Sequence, residues 1–160
     1  MDAAAFDAWY ESRYDALVGQ VFVMCGSRAA ASDAVQEAFT EAWARRSQVG
    51  GYEHRDAWIR TVARRRVVSD WRRSRRVGPL TAEPVTSDAD PTTLVALQRA
   101  LADLPDNHRH AVVLHYLVDL PVAAIAAELG AKEGTVRVWL SRGRARLEQL
   151  LSDTEEVHHA

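Results

Sequence analysis

Arg137 and Arg142 stand in the stretch GTVRVWLSRGRARL, residues 134–147, among residues that are mostly small or apolar. A guanidinium is a planar fork that matches the O6/N7 edge of guanine or two phosphate oxygens. One bidentate base contact discriminates by ~1–3 kcal/mol. At about 100° per residue, Val136, Leu140, Gly143 and Leu147 share a narrow arc, which must be the buried side. Gly134, Val138, Ser141, Arg142 and Ala145 lie opposite. All of these except Arg142 lack a long side chain, so that ridge can come close to base edges. Arg137 flanks the ridge, Lys132 precedes it, and Gly134 and Thr135 can offer backbone N–H groups to a phosphate at a helix start. The chemistry suggested is contact with duplex DNA.

Charge placement supports a polyanion partner although the net charge is −2. Residues 60–76 hold eight Arg and one Asp, and residues 132–146 hold one Lys, four Arg and one Glu, so the remainder is strongly acidic. Two basic islands in an acidic background suit two separate polyanion contacts, although either alone could be a solvated helix face. Catalytic chemistry is not expected. His108, His110 and His115 cluster in sequence without a cysteine or carboxylate pair at ligand spacing. No Ser–His–Asp order, phosphate-cradling loop or HExxH pattern occurs. Neither a metal nor a cofactor is expected. Cys25 is the only cysteine, which excludes an intramolecular disulfide. With no basic leader and no apolar run of the ~20 residues a bilayer requires, the expected setting is the cytoplasm, without membrane insertion.

The elements that must hold these residues all read as helices. Phe6, Tyr10, Tyr14, Leu17, Val21 and Met24 recur at three- and four-residue steps, Gly26 closes that helix, and Ser27 can cap the next. The second helix runs to about Arg46 with Val35, Phe39 and Ala42 inward, until SQVGGY (47–52) breaks the pattern. A third helix is predicted from about Asp56 through the arginines to Arg76. Residues 77–91, with three prolines and no period, read as a flexible linker. Asp90–Pro91 then opens a helix with the stripe Leu94, Leu97, Leu101 and Leu104, ended by Pro105. A fifth helix, about 107–119, is expected to pack through Val113, Tyr116 and Leu117. Pro121–Leu129, the turn Gly130–Lys132, and the helix from Glu133 make a helix-turn-helix. Residues 152–160 read as a flexible polar tail. The fold class is therefore all-α, with two small helical domains, 1–76 and 92–151, joined by the linker, the C-terminal one carrying the helix-turn-helix.

SRAAASDAVQEAFTEAWARR (27–46) followed by DAWIRTVARRRVVSDWRRSRR (56–76) resembles region two of bacterial sigma factors. ALADLPDNHRHAVVLHYLVDLPVAAIAAELGAKEGTVRVWLSRGRARL (100–147) resembles their region four. Order and linker match the small extracytoplasmic-function (ECF) group of the sigma-70 family, over residues 6–151. The resemblance implies an alternative sigma factor that binds core RNA polymerase at the beta-prime clamp helices and the beta flap, recognises promoter DNA and helps to melt it. It also implies an anti-sigma factor. Asp33, Gln36, Glu37 and Glu41 match the polymerase-docking strip. Tyr52, His54, Trp58, Arg60, Arg64 and Arg65 match the minus-ten surface, where aromatic groups beside a cationic track can receive unstacked bases. Trp58 could equally be core, since Ile59 and Val62 follow it at core spacing. Trp43 and Trp71 read as packing residues. Lys132, Gly134, Thr135, Arg137, Val138, Ser141 and Arg142 match the minus-35 surface. By the same resemblance the linker, with Glu83, Asp88 and Asp90, would pass near the RNA exit path.

The chain departs from the family at Arg64-Arg65-Arg66, where Arg-Asn-apolar is common. It departs again at Pro121-Val122-Ala123-Ala124, in place of Ser-Tyr-Glu-Glu, and at Val138-Trp139, in place of Ser-Arg. Base preference therefore does not carry over. A stand-alone dimeric helix-turn-helix regulator is the alternative reading; it accounts for 121–147 but leaves the 56–76 helix and the docking strip without a purpose.

Overall fold

The computed structural model describes residues 1–74 and 91–159, and all the regular structure among them is helical. The chain divides into two compact units, Met1–Leu80 and Thr81–Ala160. The expected linker, up to Asp90, and the last two residues of the basic run, Arg75 and Arg76, lie outside the described residues, as does the side chain of Trp71.

In the first unit α1 (Ala3–Cys25), α2 (Arg28–Ala44) and α4 (Arg55–Ser74) pack mutually, with the single turn α3 (Arg46–Val49) between the last two. The caps are where residue chemistry puts them. Asp2 accepts the Ala5 N–H at 2.8 Å, Gly26 takes the left-handed conformation at φ 77°, and the Ser27 hydroxyl accepts the Ala30 N–H at 3.2 Å. Such a side-chain cap contributes ~1 kcal/mol. Leu17, Val21, Val35, Ala38, Ala42, Ile59 and Ala63 are fully enclosed. Around Phe39 the rings of Trp9 at 4.9 Å and Tyr10 at 5.0 Å meet it edge-on, pairs that add ~0.5–1.5 kcal/mol each beyond area burial. Trp43 meets Phe6 edge-on at 5.0 Å and carries the Arg46 guanidinium at 4.3 Å from its ring centre, yet stays 39% exposed.

The expected break over 47–52 is partly helical, because Val49 is wholly buried and anchors a turn there. At Gly50 a Cβ would stand 2.7 Å from the Met1 Cβ and 2.8 Å from the Arg46 carbonyl oxygen. This glycine permits close approach of the chain start.

In the second unit α6 (Asp106–Tyr116) packs against α7 (Val122–Leu129) and α8 (Glu133–His159), and α5 (Pro91–Ala102) lies against α8. Proline stands at the first helical position of α5 as expected. Leu101, Leu104, Val112, Val113, Leu114, Ile125 and Val136 form the core. Two expectations are corrected here. Tyr116 and Leu117 are about half exposed, 49% and 55%, rather than core. The helix ends at Tyr116, after the buried run 109–114, and Tyr116 meets α8 through its hydroxyl, which accepts from Arg144 at 3.0 Å, rather than through a buried ring. Residues 152–159, expected as a loose tail, continue α8. Their polar side chains are compatible with helix because Ser152 and Thr154 donate to the carbonyls four residues back, at 2.8 and 2.9 Å.

Candidate nucleic-acid interface

The α7–α8 turn is set by Gly130, which at φ 65° and ψ 39° occupies the left-handed region where a Cβ is penalised. Ala131 then donates to the Ala126 carbonyl at 3.0 Å, closing α7 across the turn. On α8, Val136 and Leu140 are buried and Gly143 is enclosed, while Leu147 is half-buried. Gly143 is where α6 crosses: a Cβ there would meet Val112 Cγ2 at 2.7 Å and the His108 carbonyl oxygen at 3.4 Å. The other side is open. Lys132, Gly134, Thr135, Arg137, Val138, Ser141, Arg142 and Ala145 are all exposed. Arg137 pairs loosely with Glu133 at 3.4 Å, a solvent-exposed contact that a phosphate can replace at little cost. Arg144 and Arg146 instead brace the unit, donating to the Tyr116 hydroxyl at 3.0 Å and to Asp103 at 2.9 Å.

Arg109 carries a structural duty that the sequence pattern does not announce. It is 2% exposed, donates to the Leu104 carbonyl at 3.1 Å and pairs with Asp106 at 2.6 Å. The guanidinium thereby ties the α5–α6 connection to the helix that supports α8. The spacing Asp106–Arg109 at i,i+3 is a signal for the pair; its burial cannot be foreseen from one helix. The three neighbouring histidines do unrelated things. His110 is buried, His115 Nδ1 lies 3.1 Å from the Leu120 carbonyl oxygen, and His108 is half-buried. Burial, then the Arg142 charge, lower the pKa of His108. Among the described residues no three His, Cys, Asp or Glu form a group able to hold a metal.

In the first unit the expected minus-ten residues separate. Tyr52, His54 and Arg65 are exposed, and Trp58 and Arg64 are half-buried at the start and middle of α4. Arg60 is a correction. It is 4% exposed and donates to Gln20 at 3.2 Å, because positions 56, 60, 63 and 67 face α1 and α2 at helical steps. On the same inward line Asp56 accepts from Trp9 Nε1 at 2.9 Å and from Arg13 at 2.6 Å, fixing the start of α4 on α1.

The docking strip lies on α2, with Asp33, Gln36 and Glu37 exposed and Glu41 half-buried. Gln36 accepts from the Tyr10 hydroxyl at 2.8 Å. Arg66 of α4 reaches both Glu37, at 2.6 Å, and Glu41, at 3.3 Å. Among the described residues no helix is long and apolar enough to cross a membrane.

Comparison with known proteins accounts for both units. Residues 9–77 match Sigma-70 region 2 and residues 94–147 match Sigma-70, region 4. The chain is 33% identical over 147 residues to the ECF RNA polymerase sigma factor SigL of Mycobacterium tuberculosis, covering 85% of this chain and 82% of SigL. It is 33% identical over 132 residues to the probable RNA polymerase sigma factor RfaY of Xanthomonas campestris, covering 73% of this chain but only 33% of that longer relative. The sigma factor RpoE of Bartonella quintana, solved with the anti-sigma factor NepR, superposes with a TM-score of 0.76 at 25% identity, over 92% of this chain and 97% of RpoE. With both sigma-70 regions present in order and a relative of this group matched over most of its length, the chain belongs to the ECF group of the sigma-70 family.

Proposed function

We propose that the chain works as an alternative sigma factor, directing core RNA polymerase to a particular set of promoters in the cytoplasm. The observation that carries the reading is the presence of region 2 and region 4 in one chain and in that order, the second with an open ridge of small residues and arginine on α8. The chain performs no bond-forming chemistry in this reading; polymerase does. Asp33, Gln36, Glu37 and Glu41 engage the beta-prime clamp helices, and the second unit meets the beta flap. Tyr52, His54, Trp58, Arg64 and Arg65 receive the separated minus-ten strand, aromatic surface taking bases and cations taking phosphates. Arg60 acts beneath them as a support. Lys132, Gly134, Thr135, Arg137, Val138, Ser141 and Arg142 read the minus-35 duplex in the major groove. RpoE, solved with an anti-sigma factor, supports a corresponding inhibitor for this chain.

The test is in vitro transcription with core polymerase, followed by mapping of start sites. Start sites absent with core polymerase alone are expected, together with co-elution of chain and polymerase. Failure of both would remove the proposal, and a footprint on a palindrome without polymerase would favour the dimeric regulator. Replacing Gln36 and Glu37 together with Ala is expected to weaken co-elution several-fold, as truncation of side chains within an interface should; unchanged co-elution would take the strip out of the docking surface.

A further inference from the structure

Arg66 stands beside two arginines assigned to the promoter strand, yet its own guanidinium is engaged on α2. It bridges Glu37 at 2.6 Å and Glu41 at 3.3 Å on α2, the carboxylates assigned to polymerase. The Arg66 side chain is 42% exposed and that of Glu37 is 59% exposed, so the bridge lies at the border between α2 and solvent. Unlike the single 3.4 Å pair of Arg137 with Glu133, this is one guanidinium held by two carboxylates, a network that a lone phosphate does not dislodge but that a partner carrying several cations outcompetes. A partner that presents its own cations to Glu37 and Glu41 therefore displaces Arg66. The displaced side chain, long and anchored on α4 directly after Arg65, has free guanidinium donors beside the cationic track.

We infer that Arg66 is a promoter-strand phosphate contact held in reserve: the two α2 carboxylates sequester it in the free chain, and polymerase docking on those carboxylates releases it. This rests on the sigma-factor reading of both surfaces. Arg66 then supplies the outward cation that Arg60, turned inward to Gln20, does not, and it couples docking to strand capture through one side chain. The free chain, with Arg66 engaged, holds single-stranded DNA less well than the docked one. No backbone movement is required, only exchange of one ion pair for another.

A double-mutant cycle on the full chain tests this, with a short fluorescent oligo-dT as probe. Glu37→Gln with Glu41→Gln is expected to raise affinity about threefold to tenfold and to steepen the salt dependence by ~0.7 in log–log slope, as one added phosphate contact should. Arg66→Gln in that background is expected to remove most of both changes, the small remainder belonging to Arg45, which shares Glu41 at 3.1 Å, and Arg66→Lys, which keeps the charge, to retain most of the gain. No gain, or an equal gain with Arg66→Gln present, overturns the proposal, because the effect would then be the general loss of negative charge. In the assembled polymerase complex Arg66→Gln alone is expected to lower strand affinity by a similar factor, while changing little in the free chain; no loss in the complex also overturns it. The cycle needs no polymerase, so failure of the sigma reading, seen as absent co-elution, is distinguishable from failure of this inference.

Discussion

The two basic islands look alike as strings of letters and differ as surfaces. On α4, Arg60 turns inward to Gln20 and Arg66 is engaged by Glu37 and Glu41, so two of its arginines already have partners on neighbouring helices. On α8, Arg144 and Arg146 brace the unit, whereas Arg137 and Arg142 stand on or beside a ridge left exposed by the described residues. An arginine is thus assigned to folding or to binding by the neighbours its helix face meets. The difference is testable by substitution: inward arginines should cost stability, and outward ones should cost affinity.

The sharpest break comes from comparing Arg109 with Arg142, both in the second unit. Arg109→Ala leaves the Leu104 carbonyl without its donor and empties a buried position, while Asp106, 38% exposed, can turn to solvent. A loss of ~2 kcal/mol in unfolding free energy is expected, the order of a buried hydrogen bond to a charged group, read by denaturant melts of the full chain. Arg142→Ala should change that stability by less than ~0.5 kcal/mol and instead weaken binding to a mapped promoter's upstream box by ~1–3 kcal/mol, with polymerase co-elution intact. If Arg142→Ala destabilised the fold as much as Arg109→Ala, the division into inward and outward arginines would be wrong. Gly143→Ala probes the boundary between the two sides of α8. Alanine gains ~1 kcal/mol of helix preference, but its methyl would press on the stiff Val112 side chain and the α6 backbone, where overpacking costs ~1–3 kcal/mol. A net loss of ~1 kcal/mol is expected, seen as a lower melting temperature.

The open ridge of α8 is legible in sequence because a single helix period separates its two faces; Val136 and Leu140 against Val138 and Arg142 need no knowledge of neighbours. The caps at Gly26, Ser27 and Gly130 were legible for the same local reason. What lay beyond reach depended on partners distant in sequence. Arg60 and Arg65 have the same chemistry, and only the position of α1 decides that the first is covered. Tyr116 and Leu117 continue the stripe of Val113 by spacing, but α8 meets Tyr116 with the polar Arg144 side chain at its hydroxyl rather than with apolar cover. Val49 shows the converse, an apolar residue in a glycine-rich break that tertiary packing recruited into the core. Charge and period therefore located both basic surfaces, while the sorting of individual arginines required the fold.

The smallest effect expected concerns His108, at the junction between the supporting α6 and the outward side of α8. Burial and the Arg142 charge both disfavour its protonated form, so its pKa in the folded chain lies below the ordinary value of ~6.5. As pH falls through that ordinary value, the unfolded chain takes up a proton that the folded chain resists. The unfolded state then binds more protons, and stability must decline as pH drops. His108→Gln should remove that part of the acid-side decline, giving a flatter stability profile below about pH 6.5 than the parent. Arg142→Ala should flatten it less, because burial is the larger cause and stays in place. Equal slopes for parent and His108→Gln would mean that neither burial nor the Arg142 charge disfavours protonation of His108, and that the outward side of α8 is electrically independent of the helix beneath it.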